Sequence, residues 1–152
     1  MDMKSLLKHI KVYLLLPPQL KNNGAAAGNA CFDCAGLSGV LVLGNVGTTD
    51  AALGSTASTT PLYLEECDTT DGSYTKITDS DLAAVISATD DNKFFGWFVD
   101  RAKTRKRYIE VNAPTLANGT TGANLVIIAL GFPSADLPVT AAQQGLKELI
   151  SV

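Results

Sequence analysis

Cys31 and Cys34 stand in the segment CFDC, with the C-x-x-C spacing that thioredoxin-like redox sites share with half of a zinc site. Redox use of such a pair needs a helix N-terminus beside a βαβ unit to acidify one thiol, and no such pattern surrounds these residues. A structural zinc ion wants four ligands. Only Cys67 and His9 remain to complete the set, at unsuitable spacings. The cysteines are therefore read as small buried hydrophobes. His9 is the only histidine, so any Ser-His-Asp or Cys-His device must pass through it. It sits in an amphipathic N-terminal stretch and is read as a surface side chain. No metal, cofactor or catalytic residue is expected, and the chain is not read as an enzyme.

Other short motifs reduce to turns. LGNVGTTD and GTTGAN carry glycines without the G-K-[ST] ending that would hold phosphates. CDTTDG, residues 67–72, faintly suggests calcium but lacks the spaced Glu and flanking helices of an EF-hand. NGT at Asn118 fits the glycosylation sequon, which is used only on the secretory route.

The positive charge is concentrated in one place. Arg101, Lys103, Arg105, Lys106 and Arg107 fall within seven residues and hold five of the twelve positive charges. A nucleic-acid reader would interleave aromatics or offer a helix for a groove, and Tyr108 is the only neighbouring ring. The readings are a wet hairpin loop, contact with an acidic protein, or nucleic acid. The loop, with a protein neighbour rather than DNA, is the expectation.

Behind these residues stands a chain of 152 residues, enough for one domain and one core. Its net charge is −3 and its pI about 5.0, unlike the basic balance of a dedicated nucleic-acid binder. Charged residues make up 18%, below the roughly 25% of ordinary domains, and a charge-poor surface suits a protein packed against neighbours. VYLLL is too short for a signal-peptide core, and no apolar run approaches the ~20 residues that cross a bilayer. A soluble, intracellularly made protein with reduced thiols and no membrane partner is expected.

The elements read mostly as strands. MDMKSLLKHIKVYLLL has helical spacing through Leu6, Ile10 and Tyr13 or Leu14, ended by Pro17 and Pro18. KNNGAAAGNA then reads as a flexible linker or extended arm. SGVLVLGNVG is a buried strand stopped by Gly44 and Gly47, and PLYLEECDTTDGSYTKITD a hairpin around Asp71-Gly72, a pair that favours positive φ. DLAAVISATDDN is ambiguous between helix and strand. KFFGWFVD sets Phe95, Trp97 and Val99 on one side of a strand, and KRYIEV is another, with Arg107, Ile109 and Val111 sharing a face. LVIIALGF is apolar on both faces, as in a sandwich core or at a subunit contact. TAAQQGLKELISV could form a short helix. Short strands between Gly, Asn, Asp and Pro turns indicate an all-β sandwich or barrel. The boundaries expected are an N-terminal arm over 1–30, extended or partly helical, a sandwich over 31–140 and a tail over 141–152.

The order of VLVLGNVGTTDA, LYLEECDTTDGSYTKI, KRYIEV, NGTTGAN and LVIIALGFPSADLPVT, across roughly residues 31–140, resembles a group of tailed-bacteriophage virion proteins. These are capsid decoration, or cement, proteins that sit outside an icosahedral head. The resemblance implies a β-sandwich, often a jelly roll, that forms dimers or trimers, binds the major capsid protein, and has neither catalysis nor cofactor. It places the chain on the capsid exterior of a virion made in the host cytoplasm, with no direct contact to nucleic acid. The residues expected at the interface are Tyr13, Leu14, Leu15 and Leu16 of the arm, Arg101, Arg105 and Arg107 facing an acidic capsid patch, and Phe132 and Leu137 of GFPSADLPV. The alternative is a tail, baseplate or head-fibre module that binds host-surface glycan.

Overall fold

The computed structural model describes residues 9–28, 30–53, 62–82, 86–112, 115–117 and 119–134. Residues 1–8 of the expected helix, most of DLAAV, Asn118, Leu137 and the tail over 141–152 lie outside that set. The strands are β1 (Lys11–Lys21), β2 (Gly24–Ala25), β3 (Phe32–Asp33), β4 (Leu37–Thr49), β5 (Leu64–Cys67), β6 (Thr75–Lys76), β7 (Lys93–Asp100), β8 (Tyr108–Val111), β9 (Thr115–Leu116) and β10 (Ala123–Pro133).

All pairings between these strands are antiparallel. One sheet has the order β1-β10-β4-β7 and the other β3-β8-β5-β6, with a short β2-β9 ribbon beside them. With the ribbon set aside, the chain crosses repeatedly between the sheets. Among the described residues the first strand, β1, lies beside the last, β10, in one sheet, and β3 lies beside β8 in the other. That order is the double Greek key of a jelly roll, so the expected jelly-roll sandwich is the observed fold.

Period-2 burial builds the core. Val40, Val42 and Val46 of β4 and Leu125, Ile127 and Ala129 of β10 point inward, against Phe32, Leu64, Ile109 and Val111 of the other sheet. The buried side chains of Ser80 and Asn112 are paired, as burial requires. Ser80 Oγ donates to the Ile77 carbonyl at 2.7 Å and accepts from the Leu64 amide at 3.1 Å, while Trp97 Nε1 donates to the Ser80 carbonyl at 2.8 Å. Asn112 and Tyr63 exchange hydrogen bonds in the same way, through the Asn112 side chain at 2.8 Å and its amide at 3.1 Å.

Of the two expectations for the N-terminal arm, the extended one holds and the helical one is corrected over residues 11–16. Lys11–Lys21 is a strand paired with β10, not a helix, and it passes through both prolines. It is an edge strand, where a missing N–H is tolerated, and its register shifts between Leu14 and Leu16 and again between Leu16 and Gln19. The first irregularity leaves Leu14 outside while both Leu15 and Leu16 enter the core. Pairing with β10 outweighs a helical spacing that had no partner in its favour. The next residues are not a free arm: Gln19 exchanges hydrogen bonds with Ala27 at 2.8 and 3.0 Å, and the Ala30 amide reaches the Leu15 carbonyl at 2.9 Å. The sandwich therefore begins at Lys11, well before residue 31.

Two glycine readings change as well. β4 runs through Gly44 and Gly47 to Thr49, because the Phe95 ring of the adjacent strand occupies the space a Cβ at Gly44 would need. The β5–β6 hairpin forms around Asp71-Gly72 as expected, but Gly72 serves close packing against Cys67 and Thr69 and does not have a positive φ. The turn before β10 is held by Asp50, whose carboxylate accepts the amides of Thr120, Thr121 and Gly122 at 3.0, 2.7 and 2.6 Å. Those three donors hold its pKa below the ordinary value.

Neighbouring isoleucines test the assignment of faces. Ile127 is 0% exposed, so Ile127→Ala should lower unfolding stability by about 3 kcal/mol, whereas outward-facing Ile128→Ala should cost under about 1 kcal/mol. Urea titration measures both, and equal costs would place the core wrongly.

Candidate protein interface

The basic run closes one end of the sandwich. Arg101 Nη1 donates to the Lys106 carbonyl at 2.6 Å, and the Lys106 amide reaches Glu66 Oε2 at 3.1 Å. Arg107 forks onto Asp33, with Nε to Oδ1 at 2.9 Å and Nη2 to Oδ2 at 2.8 Å. That guanidinium holds the Asp33 carboxyl down at about 2. Arg101 and Arg105 are half-buried, each with a buried Nε that meets no hydrogen-bond partner among the described residues. Of the three arginines expected to face a partner, Arg107 is exposed but committed to Asp33. Ile109 and Val111 share the inner face of β8 as expected, while Arg107 precedes the strand.

The cysteines are free thiols: Cys31 is half-buried, and Cys34 and Cys67 are buried. Burial pushes the Cys34 thiol up to about 11, the opposite of what an attacking thiol needs. Its Sγ lies 3.5 Å from the Phe32 carbonyl. Among the described residues no group of three His, Cys, Asp or Glu side chains is placed to hold a metal ion.

The outer faces of the two sheets differ in kind. On β3-β8-β5-β6 the outward positions include Lys76, Glu65 and Glu110 in one cross-strand row, with Asp33 and Tyr108 in the next. That is the charged face of a sheet meeting water. The glutamates are direct neighbours, and Glu110 has its pKa raised by burial and by Glu65.

On β1-β10-β4-β7 the register aligns Phe98, Leu41, Leu130 and Val12 in one row, and Gly96, Leu43, Ile128 and Leu14 in the next. A third row holds Phe94, Asn45 and Val126. None of these three rows contains a charged side chain. Phe94 is 74% exposed, Phe98 67% and Leu14 44%. With strands about 4.8 Å apart and rows about 7 Å apart, the apolar area is on the order of 300 Å² in flat projection. Apolar patches of this size on a single chain are often functional.

The structure thus divides the interface residues expected from sequence. Leu14 and half-buried Phe132 lie on this face, the latter opposite Gly39. Tyr13, 38% exposed, covers the sandwich edge with its ring 5.6 Å from that of Phe32. Leu15 and Leu16 are core residues and are corrected as contacts. Phe94 and Phe98 are new, although their apolar alternation with Phe95 and Trp97 was visible in KFFGWF. Compared with protein-family models, curated protein sequences and solved structures, the chain matches none.

Thiol chemistry gives a direct check. In the folded protein at neutral pH, Cys34 should resist iodoacetamide for as long as the fold persists and react promptly in denaturant. Mass spectrometry of the labelled peptides measures this, and fast native labelling of Cys34 would reopen the redox reading.

Proposed function

We propose that this chain is a structural, protein-binding module of a tailed-phage virion, a capsid decoration protein that lies on the outside of the icosahedral head and stabilises it. The observation that supports the reading is the three adjoining uncharged rows on the outer face of the β1-β10-β4-β7 sheet, which contrast with the charged face of the other sheet. A jelly roll by itself decides nothing, because the fold also carries lectins and enzymes. The partner face would be apolar and flat, on the major capsid protein. At about 25 cal/mol per Å², covering roughly 300 Å² contributes on the order of 7 kcal/mol before the costs of association. Repetition over a symmetric lattice multiplies that gain. In this reading the chain acts as a non-catalytic oligomer, without a cofactor.

A second reading, a tail, baseplate or head-fibre module that binds host glycan, draws support from one feature. A cleft of about 310 Å³ opens at the β6/β7 side of the sandwich, where Trp97 and Phe98 meet Asp79, Ser80 and Asp100. Aromatic walls with a few polar groups suit a sugar. The Trp97 indole N–H, however, is already given to Ser80.

Truncation of residues 1–22 would remove β1 and does not isolate attachment. Single outward changes do. Ile128→Glu should cut occupancy on expanded capsids at least about tenfold in co-sedimentation, while Glu110→Gln on the other sheet leaves it unchanged. Full occupancy of a folded Ile128→Glu variant would overturn attachment through this face.

A further inference from the structure

Among the described residues four strands end the two sheets, and three of them carry the devices that prevent edge pairing. β1 contains Pro17 and Pro18 and two register shifts, and β3 and β6 are two residues long. β7 differs. It has eight residues, no proline and no register shift against β4, and its only charges are the terminal Lys93 and Asp100.

The backbone of β7 presents a usable edge. The Arg101 amide donates to the Ser38 carbonyl at 3.1 Å, and a Cβ at Gly96 would strike the Val42 carbonyl oxygen, so that carbonyl is aimed at β7. In an antiparallel ladder this assigns Phe95, Trp97 and Val99 to β4, and turns the N–H and C=O groups of Phe94, Gly96 and Phe98 outward. The cleft between Trp97–Asp100 and Ile77–Ser80 leaves part of this edge open.

We infer that the occupant of this edge is β7 of a second copy of the chain, paired antiparallel about a two-fold axis at Gly96 to make one continuous eight-stranded sheet. Charge complementarity selects a second copy. β7 is preceded by Asp90 and Asp91 and followed by Arg101, Lys103 and Arg105, so antiparallel self-pairing sets the acidic lead of each copy against the basic exit of the other. The register follows from the faces. Centring on Gly96 places Phe94 beside Phe98 of the second copy, with outward side chains opposite outward ones. Sliding by two residues would instead bring Phe94 against Asp100 and Lys93 against Arg101. The joined outer faces make one continuous apolar surface of roughly 600 Å² across the two copies. The basic run thereby meets an acidic protein neighbour, and that neighbour is the chain itself.

The inference concerns the chain in solution and stands apart from capsid attachment. Sedimentation equilibrium should give a dimer that weakens as salt is raised. Phe98→Asp, at an exposed position, should weaken it about thirtyfold without changing the circular dichroism. Hydrogen exchange should show the Phe94, Gly96 and Phe98 amides protected in the dimer and fast on dilution, with Phe95, Trp97 and Val99 protected throughout. A monomer at all concentrations, a dimer in which those three amides stay fast, or protection only on adding a different polypeptide would each overturn the inference. A dimer that fails to decorate capsids counts against the proposed function alone, and a monomer that decorates them counts against the pairing alone.

Discussion

The structure depends on the pairing of β4 with β10, two long central strands that are apolar on both faces. Their inward side chains, from Val40 to Val46 and from Leu125 to Ala129, make the centre of the core, so the pairing cannot slip by one residue without exchanging core and surface. Because the outward side chains are also apolar, such a slip would not be punished by burying charge. Register must come from elsewhere. It comes from the bulged pairing of β1, from glycines that admit the Phe95 ring and the Val42 carbonyl, and from the Asp50 carboxylate that gathers three amides at the start of β10.

Those polar clamps explain how a chain with few charges keeps its ends in order. Arg107 joins the lead into β8 to Asp33 of β3, and Lys106 reaches Glu66 of β5, so the basic run ties three strands of one sheet. An exposed ion pair contributes little in isolation. Here its two parallel hydrogen bonds fix geometry, and the depressed Asp33 pKa has a direct consequence. The contribution of this pair is complete above the unfolded carboxyl value of about 3.8 and fades as pH falls toward about 2.

Much of this was legible in the residues. The alternation of KFFGWFVD, the double-faced apolarity of LVIIALGF and the Asp71-Gly72 reversal all correspond to elements that form. The failures share a cause. Leu6, Ile10 and Leu14 can be read at helical spacing, but Leu15 and Leu16 are consecutive core residues that only an irregular strand explains, and nothing local announces β10 as their partner. Gly44 and Gly47 looked like strand ends because the ring that fills the space over Gly44 lies about fifty residues away in sequence. The apolar outer face was legible in part: LVIIALGF read as apolar on both faces, while Phe94 and Phe98 gained meaning only when the register set them in rows with Leu41, Leu43 and Ile128.

One sheet of this jelly roll turns charged side chains outward and the other turns mostly apolar ones, and the proposed attachment rests on that asymmetry. Cryo-electron microscopy of phage particles incubated with this protein tests it most directly. If the proposed role holds, density stands at regular lattice positions on the head, with the β1-β10-β4-β7 sheet turned toward the shell and the Glu65/Glu110 face toward solvent. Density confined to the tail, or a lattice-bound copy with its apolar sheet facing outward into solvent, would contradict it.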